Sequence, residues 1–262
     1  VGGGSIYFNI NISNSFINDK SEDLISLYNY VKNQDNEFFN YLYELNFLWK
    51  QLDINNELNT NIINKEKFVS YTNKSLTLKS KRIQCLENEG NKISNEDKEN
   101  IKLTARKTAF YMFVRDIYND QKENKQLHTA CFYFIREYCY SSMFRFSKNG
   151  NFNVPYGGRS YNLKCMTSKI KQMQSNEIIL YLKNTIIYNL DFEEFLNLFT
   201  LDSNDFIFLD PPYDSEFSTY DNNAFDKNEQ IRLNKFLTNT KAKWMLIIKK
   251  TDFIDDLYSK FN

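Results

Sequence analysis

The chain has 262 residues with 33 basic and 33 acidic side chains, and 16% of its residues are aromatic. That length suits one large domain or two small ones. The zero net charge argues against a generic polyanion binder but leaves room for a local basic face, and no apolar run approaches the ~20 residues that cross a bilayer. His128 is the only histidine, and Cys85, Cys131, Cys139 and Cys165 form no CxxC pair. A zinc site is therefore not expected, and the cysteines read as buried thiols in a reducing cytoplasm.

In chain order, three glycines open the sequence at Gly2 to Gly4, followed by Ser5. SFIND (Ser15 to Asp19) reads as a short strand ending in an acid. Helical spacing of Leu24, Ile25, Leu27, Tyr28 and Val31 predicts a helix, and a second follows over about Glu37 to Leu52. From about Asn55 to Asn124 the chain is charged and shows no strand signal. KENIKLTARKTAFYMFVRDIYND is the longest amphipathic helix there, and NKQLHTACFYFIREYCYSSMF is a second, more apolar one. GNFNVPYGG predicts a loop or short hairpin. The last third alternates: strand TIIYN, helix DFEEFLNLF, strand FIFL, helix DKNEQIRLNKFL, strand KWMLIIKK, helix DFIDDLYSKF. Asp226 and Glu229 resemble a capping box at the start of the second of these helices. Such alternation predicts a parallel sheet with function at the carboxyl ends of its strands. The fold class is therefore α/β, interrupted by a helical insertion.

Two of the three prolines stand together at Pro211 and Pro212, after FIFL and Asp210 and before Tyr213. Each proline drives the residue before it towards an extended form. The result is a stiff arm that offers one carboxylate, one main-chain carbonyl and one aromatic face. Two acceptors aimed at one spot suit an –NH2 group, and the aromatic suits a flat ring. An exocyclic nucleobase amine meets both conditions. Its lone pair is delocalised into the ring, and accepting both N–H hydrogens draws that pair out towards an electrophile. Asp210 is better cast as acceptor and orienter than as a strong base, since an ordinary Asp has a pKa of about 3.9. The plain alternative is an Asp-Pro turn after a strand.

These residues carry a family resemblance. Asp210, Pro211, Pro212 and Tyr213 match motif IV, [DNS]-P-P-[YF], of the Dam-like, D12 class of DNA adenine-N6 methyltransferases. The segments follow that family's α-group order: glycine loop, target-recognition insertion, motif IV. The resemblance implies a Rossmann-like S-adenosylmethionine-dependent methyltransferase sheet with an inserted helical target-recognition domain. It divides the chain into a first catalytic part at 1–54, the target-recognition domain at 55–165 and a second catalytic part at 166–262.

VGGGS resembles the tail of the family's PFVGGGS, although GGGS is also a linker composition. By the match Gly2, Gly3, Gly4 and Ser5 approach the methionine part of S-adenosylmethionine, and Asp19 hydrogen-bonds its ribose. NLDFEEF matches motif III, so Asp191 would hydrogen-bond the cofactor's adenine and Phe192 would pack on it; Asp191 also reads as a helix N-cap. Asp210 borders the same cofactor. FRFSKNGNFNVPYGG resembles YRxNxxGxFNVPFG, which runs beside DNA. That match gives Arg145 a guanine edge in the major groove. Tyr140, Ser141 and Met143 match positions that contact phosphate or fill the gap left by the target base, and Pro155 belongs to the same segment. Ser141 departs from the Asn of the family's namesake. Lys148 and Arg159 would contact phosphate.

The implied reaction is methyl transfer to N6 of a flipped adenine in duplex DNA, without metal. The implied setting is the cytoplasm and nucleoid, with a cognate restriction endonuclease as a partner in the same system. Two rivals stay open: an RNA or protein-amide methyltransferase sharing [DN]-P-P-Y, and a non-catalytic DNA-binding remnant. In the family a first strand precedes the glycine loop and lies between the strands that end here in Asp19 and Asp210. The resemblance thus implies that Val1 begins after that strand and that two final strands follow KWMLIIKK, so the chain reads as truncated at both ends. By itself it is expected to be marginally stable, to bind cofactor weakly and to aggregate through open edges.

Overall fold

Apolar side chains at helical spacing account for most of the ordered backbone. The computed structural model describes residues 1–10, 14–53, 65–120, 122–212 and 225–261. Helix α1 spans Glu22–Asn33. Two compact units result: residues 1–28 with 180–262, and residues 29–179.

The second unit is helical. Its elements are α2 (Asn36–Gln51), α3 (Lys65–Asn88), α4 (Asn95–Asp120), α5 (Lys125–Tyr138) and α6 (Thr167–Met173), and α7 (Asn176–Lys183) leads out of it. Asp35 starts α2 by accepting from the Phe38 N–H at 2.8 Å, and Asn124 starts α5 in the same way through Leu127 at 2.8 Å. Phe38, Leu42, Leu45 and Trp49 recur every three to four residues along α2 and are fully buried. Trp49 is the centre of the packing. Its ring lies 4.3 Å from that of Tyr138, 5.6 Å from Phe134 and 5.7 Å from Tyr156, and its indole N–H donates to Lys164 O at 2.8 Å. Lys107 is buried beside it; its ammonium sits 4.1 Å over the indole and donates to Trp49 O and Asp53 Oδ1 at 2.7 and 2.9 Å. A buried charge needs such partners. Because α2 packs on α5 around Trp49, it lies inside the helical unit.

The first unit carries the strands. β1 (Ser15–Asn18) runs parallel to β2 (Thr185–Tyr188), in register from Ser15 with Thr185 to Asn18 with Tyr188. β3 (Phe206–Leu209) runs parallel to β4 (Lys243–Leu246), from Phe206 with Lys243 to Leu209 with Leu246. Helices α8 (Phe192–Leu196), α9 (Lys227–Asn239) and α10 (Asp252–Tyr258) alternate with them. The fold is thus α/β, helix-rich, with small parallel sheets.

Among the described residues the strands form two separate pairs, with no ladder joining β1 to β3, which is where the resemblance implies a further strand between those ending in Asp19 and Asp210. Several other expectations are corrected. The sequence reading passes over α6 and α7, because short helices carry too few turns for a clear period. The helix starting at Lys125 stops at Tyr138 rather than continuing to Phe144: Cys139 is extended (φ −70°, ψ 153°) and bridges Tyr156. Glu229 does not complete a capping box; Asp226 caps α9 through the Asn228 and Glu229 N–H groups, while the Glu229 carboxylate turns to Arg232. Cys131 and Cys139 are buried as expected, but Cys85 and Cys165 are exposed.

Candidate active site

The turns that follow β1 and β2 are tied together by side-chain amides. Asn18 Nδ2 donates to Leu190 O at 3.0 Å while Leu190 N donates to Asn18 Oδ1 at 2.9 Å, and Asn189 Nδ2 donates to Asp19 O at 2.8 Å. Parallel pairing places both strand ends on the same side, so these bonds bring Asp19 and Asp191 to one sheet edge. The Asp19 carboxylate gathers main chain: Oδ1 accepts from Ser21 N at 3.0 Å, and Oδ2 accepts from Gly2 N at 3.1 Å and the Val1 amine at 3.3 Å. The glycine loop and Asp19, read separately from the sequence, are thus in direct contact. Gly4 is buried with φ +75°, and a Cβ there would stand 2.5 Å from Tyr28 Oη and 2.7 Å from the Phe8 ring. Only glycine fits that close approach. Tyr28 Oη also donates to Gly2 O at 3.2 Å, while Gly3 and Ser5 are exposed.

Asp191 caps α8 and carries a second bond. Its Oδ1 accepts from Glu193 N at 3.0 Å and from Arg232 Nη2 at 2.8 Å. Burial pushes its carboxyl up, but the Glu193 N–H and the Arg232 guanidinium outweigh that and hold it below the usual carboxylate range. Phe192 lies under the Arg232 guanidinium at 4.9 Å and beside the Phe225 ring at 5.5 Å. Arg232 was missed from the sequence; its only signal there is a Glu229 three residues before it on a helix.

Asp210 is exposed immediately past β3, where Ile247 N donates to Leu209 O at 2.9 Å and closes the end of the ladder. Pro211 is half-buried and Pro212 exposed, and Tyr213 lies outside the described residues.

In the helical unit, the segment from Cys139 to Tyr156 folds back as a hairpin with bridges at Cys139–Tyr156 and Phe146–Phe152. Phe152, Val154 and Tyr156 point inward at a spacing of two, and Pro155 points out. Asn119 on α4 clamps Phe152 N and O, and Tyr111 Oη donates to Val154 O at 2.9 Å. The outer side carries Tyr140, 54% exposed, together with Ser141, Met143, Arg145 and Lys148. Arg145 Nε donates to Asn153 Oδ1 at 3.0 Å, and Tyr140 N donates to Pro155 O at 2.9 Å. Ser141 and Ser142 both hold left-handed backbone, at φ 53° and 52°. Two such non-glycine residues in succession are uncommon and strained. Arg159 is exposed and pairs with Asp97 at 3.3 Å. The structure therefore places six of the seven residues read as DNA-facing on or at the base of one hairpin, with Arg159 just beyond it.

Among the described residues no group of three or more His, Cys, Asp or Glu is placed to hold a metal, and no helix is long and apolar enough to cross a membrane. A nucleoside with a positively charged tail fits the β1–β2 edge. It meets two carboxylates, an aromatic ring and a glycine loop whose Gly4 approach a Cβ would fill.

These features define an α/β protein whose glycine loop, Asp19 and Asp191 meet at the carboxyl end of one parallel strand pair. The family model described as "D12 class N6 adenine-specific DNA methyltransferase" matches residues 1–262, and the chain belongs to that family. It is 35% identical over 163 residues to the type II methyltransferase M.CviBI of Paramecium bursaria Chlorella virus NC1A, covering 58% of this chain and 60% of the relative. It is 34% identical over 171 residues to the type II methyltransferase M.MjaIII of Methanocaldococcus jannaschii, covering 60% and 56%. The Retron Ec67 DNA adenine methylase of Escherichia coli is 25% identical over 163 residues, covering 61% and 54%. The chain thus spans less than two-thirds of the length of the curated relatives it matches.

Proposed function

We propose that this chain carries the cofactor edge, the motif IV arm and the DNA-reading hairpin of an enzyme that methylates N6 of adenine in duplex DNA. The observation that carries the reading is the direct contact of Gly2 with Asp19, joined through Asn18 and Leu190 to Asp191. The glycine loop and the Asp19 turn, 17 residues apart, thus meet a turn some 172 residues further along the chain. In this reading the sheet is Rossmann-like, residues 1–54 and 166–262 form the catalytic part, and 55–165 form the inserted target-recognition domain. The relatives named as type II methyltransferases support a restriction–modification setting; double-stranded DNA as partner, a cognate endonuclease in the same system and a place at the nucleoid are part of the same proposal.

S-adenosylmethionine, when bound, supplies an electrophilic methyl group. Gly2, Gly3, Gly4 and Ser5 leave room for its methionine part, Asp19 accepts from its ribose, and Asp191 and Phe192 hold its adenine. Asp210 and the Pro211 carbonyl accept the two N–H hydrogens of the target amine, which redirects the nitrogen lone pair towards the methyl group. Forming the N–C bond would break the methyl group's bond to the sulfonium sulfur, which keeps that electron pair, and the extra proton on nitrogen would then leave past Asp210 to solvent. Tyr213 stacks on the flipped base. Tyr140, Ser141, Met143, Lys148, Pro155 and Arg159 hold the duplex, and Arg145 reads a guanine edge.

The test is Asp210→Ala. Methyl transfer from labelled cofactor to duplex DNA should fall by roughly 10²–10⁴, while DNA binding stays nearly intact, because the carboxylate serves the amine and not the phosphates. Substantial turnover by this variant overturns the mechanism.

A further inference from the structure

Arg232 stands on α9, outside every motif segment, yet three hydrogen bonds tie it to motif III. Its Nε and Nη2 donate to Glu193 Oε2 at 2.9 and 2.7 Å. Nη2 also reaches Asp191 Oδ1 at 2.8 Å, and Nη1 reaches Glu229 Oε2 at 2.6 Å. The same guanidinium lies 4.9 Å over the Phe192 ring. Three carboxylates meet around one cation, and they would repel one another without it. A guanidinium presents its donors in a rigid planar fork and stacks on an aromatic face, which a lysine ammonium does not do.

The atoms assign distinct tasks to the Asp191 carboxylate. Oδ1 is taken up by the α8 cap and by Arg232. Oδ2 accepts no hydrogen bond among the described residues. We infer that Arg232 is a positioning residue for the cofactor's adenine: it pins Asp191 Oδ1 and backs one side of Phe192, so that Oδ2 faces the adenine amine and the ring packs on the base. This rests on the reading of Asp191 and Phe192 as adenine contacts. It adds that their geometry is set from α9 rather than by the motif itself.

The test uses the full chain and titration calorimetry with S-adenosylhomocysteine, its hypoxanthine analogue (which lacks the amine) and a DNA duplex. Arg232→Met should weaken S-adenosylhomocysteine roughly tenfold, the worth of one charge-assisted hydrogen bond. It should weaken the hypoxanthine analogue less, since that ligand can lose only the Phe192 packing and not the bond to the amine, and it should leave DNA binding nearly unchanged. Arg232→Lys should recover little. In turnover, KM for the cofactor should rise while kcat changes within about twofold, as expected for lost uniform binding. A merely structural Arg232 would weaken all three ligands together, which overturns the proposal. So does full rescue by Arg232→Lys, which would make charge alone sufficient. If Asp191→Ala and Phe192→Ala leave S-adenosylhomocysteine affinity unchanged, the adenine reading beneath the proposal is the part that fails. If both weaken it and Arg232→Met does not, only the role of Arg232 fails.

Discussion

The two units bury their apolar residues in opposite ways. In the helical unit Phe38, Leu42, Leu45, Trp49, Phe110, Tyr111 and Phe134 are all sealed from solvent. In the strand unit Phe16, Ile186, Phe206 and Met245 are each about half exposed or more, although all four lie on strands. A helix hides its stripe against one neighbour, and the helical unit supplies those neighbours from its own sequence. A strand needs cover on both faces and partners on both edges, and a two-stranded pair meets only part of that demand. Within the strand unit, Tyr28 and Phe8 pack closely on the glycine loop at Gly4. The contrast teaches that order at the β1–β2 edge comes from hydrogen bonds between turns, whereas order at the hairpin comes from a packed core beneath it.

Trp49→Ala offers the strongest challenge to that contrast. It should cost about 3–5 kcal/mol, because it removes a fully buried ring and its bond to Lys164 O. Phe206→Ala, 59% exposed, should cost under about 1 kcal/mol. Urea midpoints of the two variants check this, and equal losses would mean that the strand faces are as well covered as the helical core.

Alkali probes the same difference. Burial raises the phenol pKa of Tyr111, Tyr133, Tyr138 and Tyr156 in the helical unit. A group whose folded pKa lies above its unfolded value gives stability that is complete below the unfolded pKa and lost as pH rises towards the folded one. Above pH ~10 the helical unit should therefore lose roughly 1.4 kcal/mol per pH unit for each such tyrosine. Trp244, the other tryptophan, lies on β4 in the strand unit, so Trp244→Phe leaves Trp49 as a fluorescent reporter of the helical unit. Its urea midpoint should begin to fall near pH ~9, because burial also raises the Cys131 and Cys139 thiols, and should fall more steeply above ~10.

A finer test is Gly4→Ala, at about 1–3 kcal/mol, since the new methyl must displace Tyr28 and Phe8 and adopt φ +75°. Gly2 has a positive φ but nothing within 4 Å of its missing Cβ. Gly2→Ala should cost about 1 kcal/mol or less, from backbone strain alone. Thermal unfolding of the pair separates crowding from strain at the loop.

How much of this was legible beforehand varies by residue. The cap at Asp191 followed from an acid before a helical period, and the structure bears it out. Asp210 at the end of a strand followed from four apolar residues and two prolines. Arg232 was not legible, because its partners Asp191 and Glu193 are some forty residues away and only folding joins them. The left-handed pair at Ser141 and Ser142 was equally hidden, since neither is the glycine or asparagine that usually announces such a backbone.

By itself the sequence determined what depends on local periodicity and chemistry. That covers the helical middle, the alternating last third, the acid–proline arm and the family. Tertiary structure alone decided the end of α5 at Tyr138, the gathering of Gly2 onto Asp19 and the guanidinium that locks Asp191. The reason is range: caps and periods act over a few residues, while ladders and ion clusters are set by which distant segments the packed chain brings within about 3 Å.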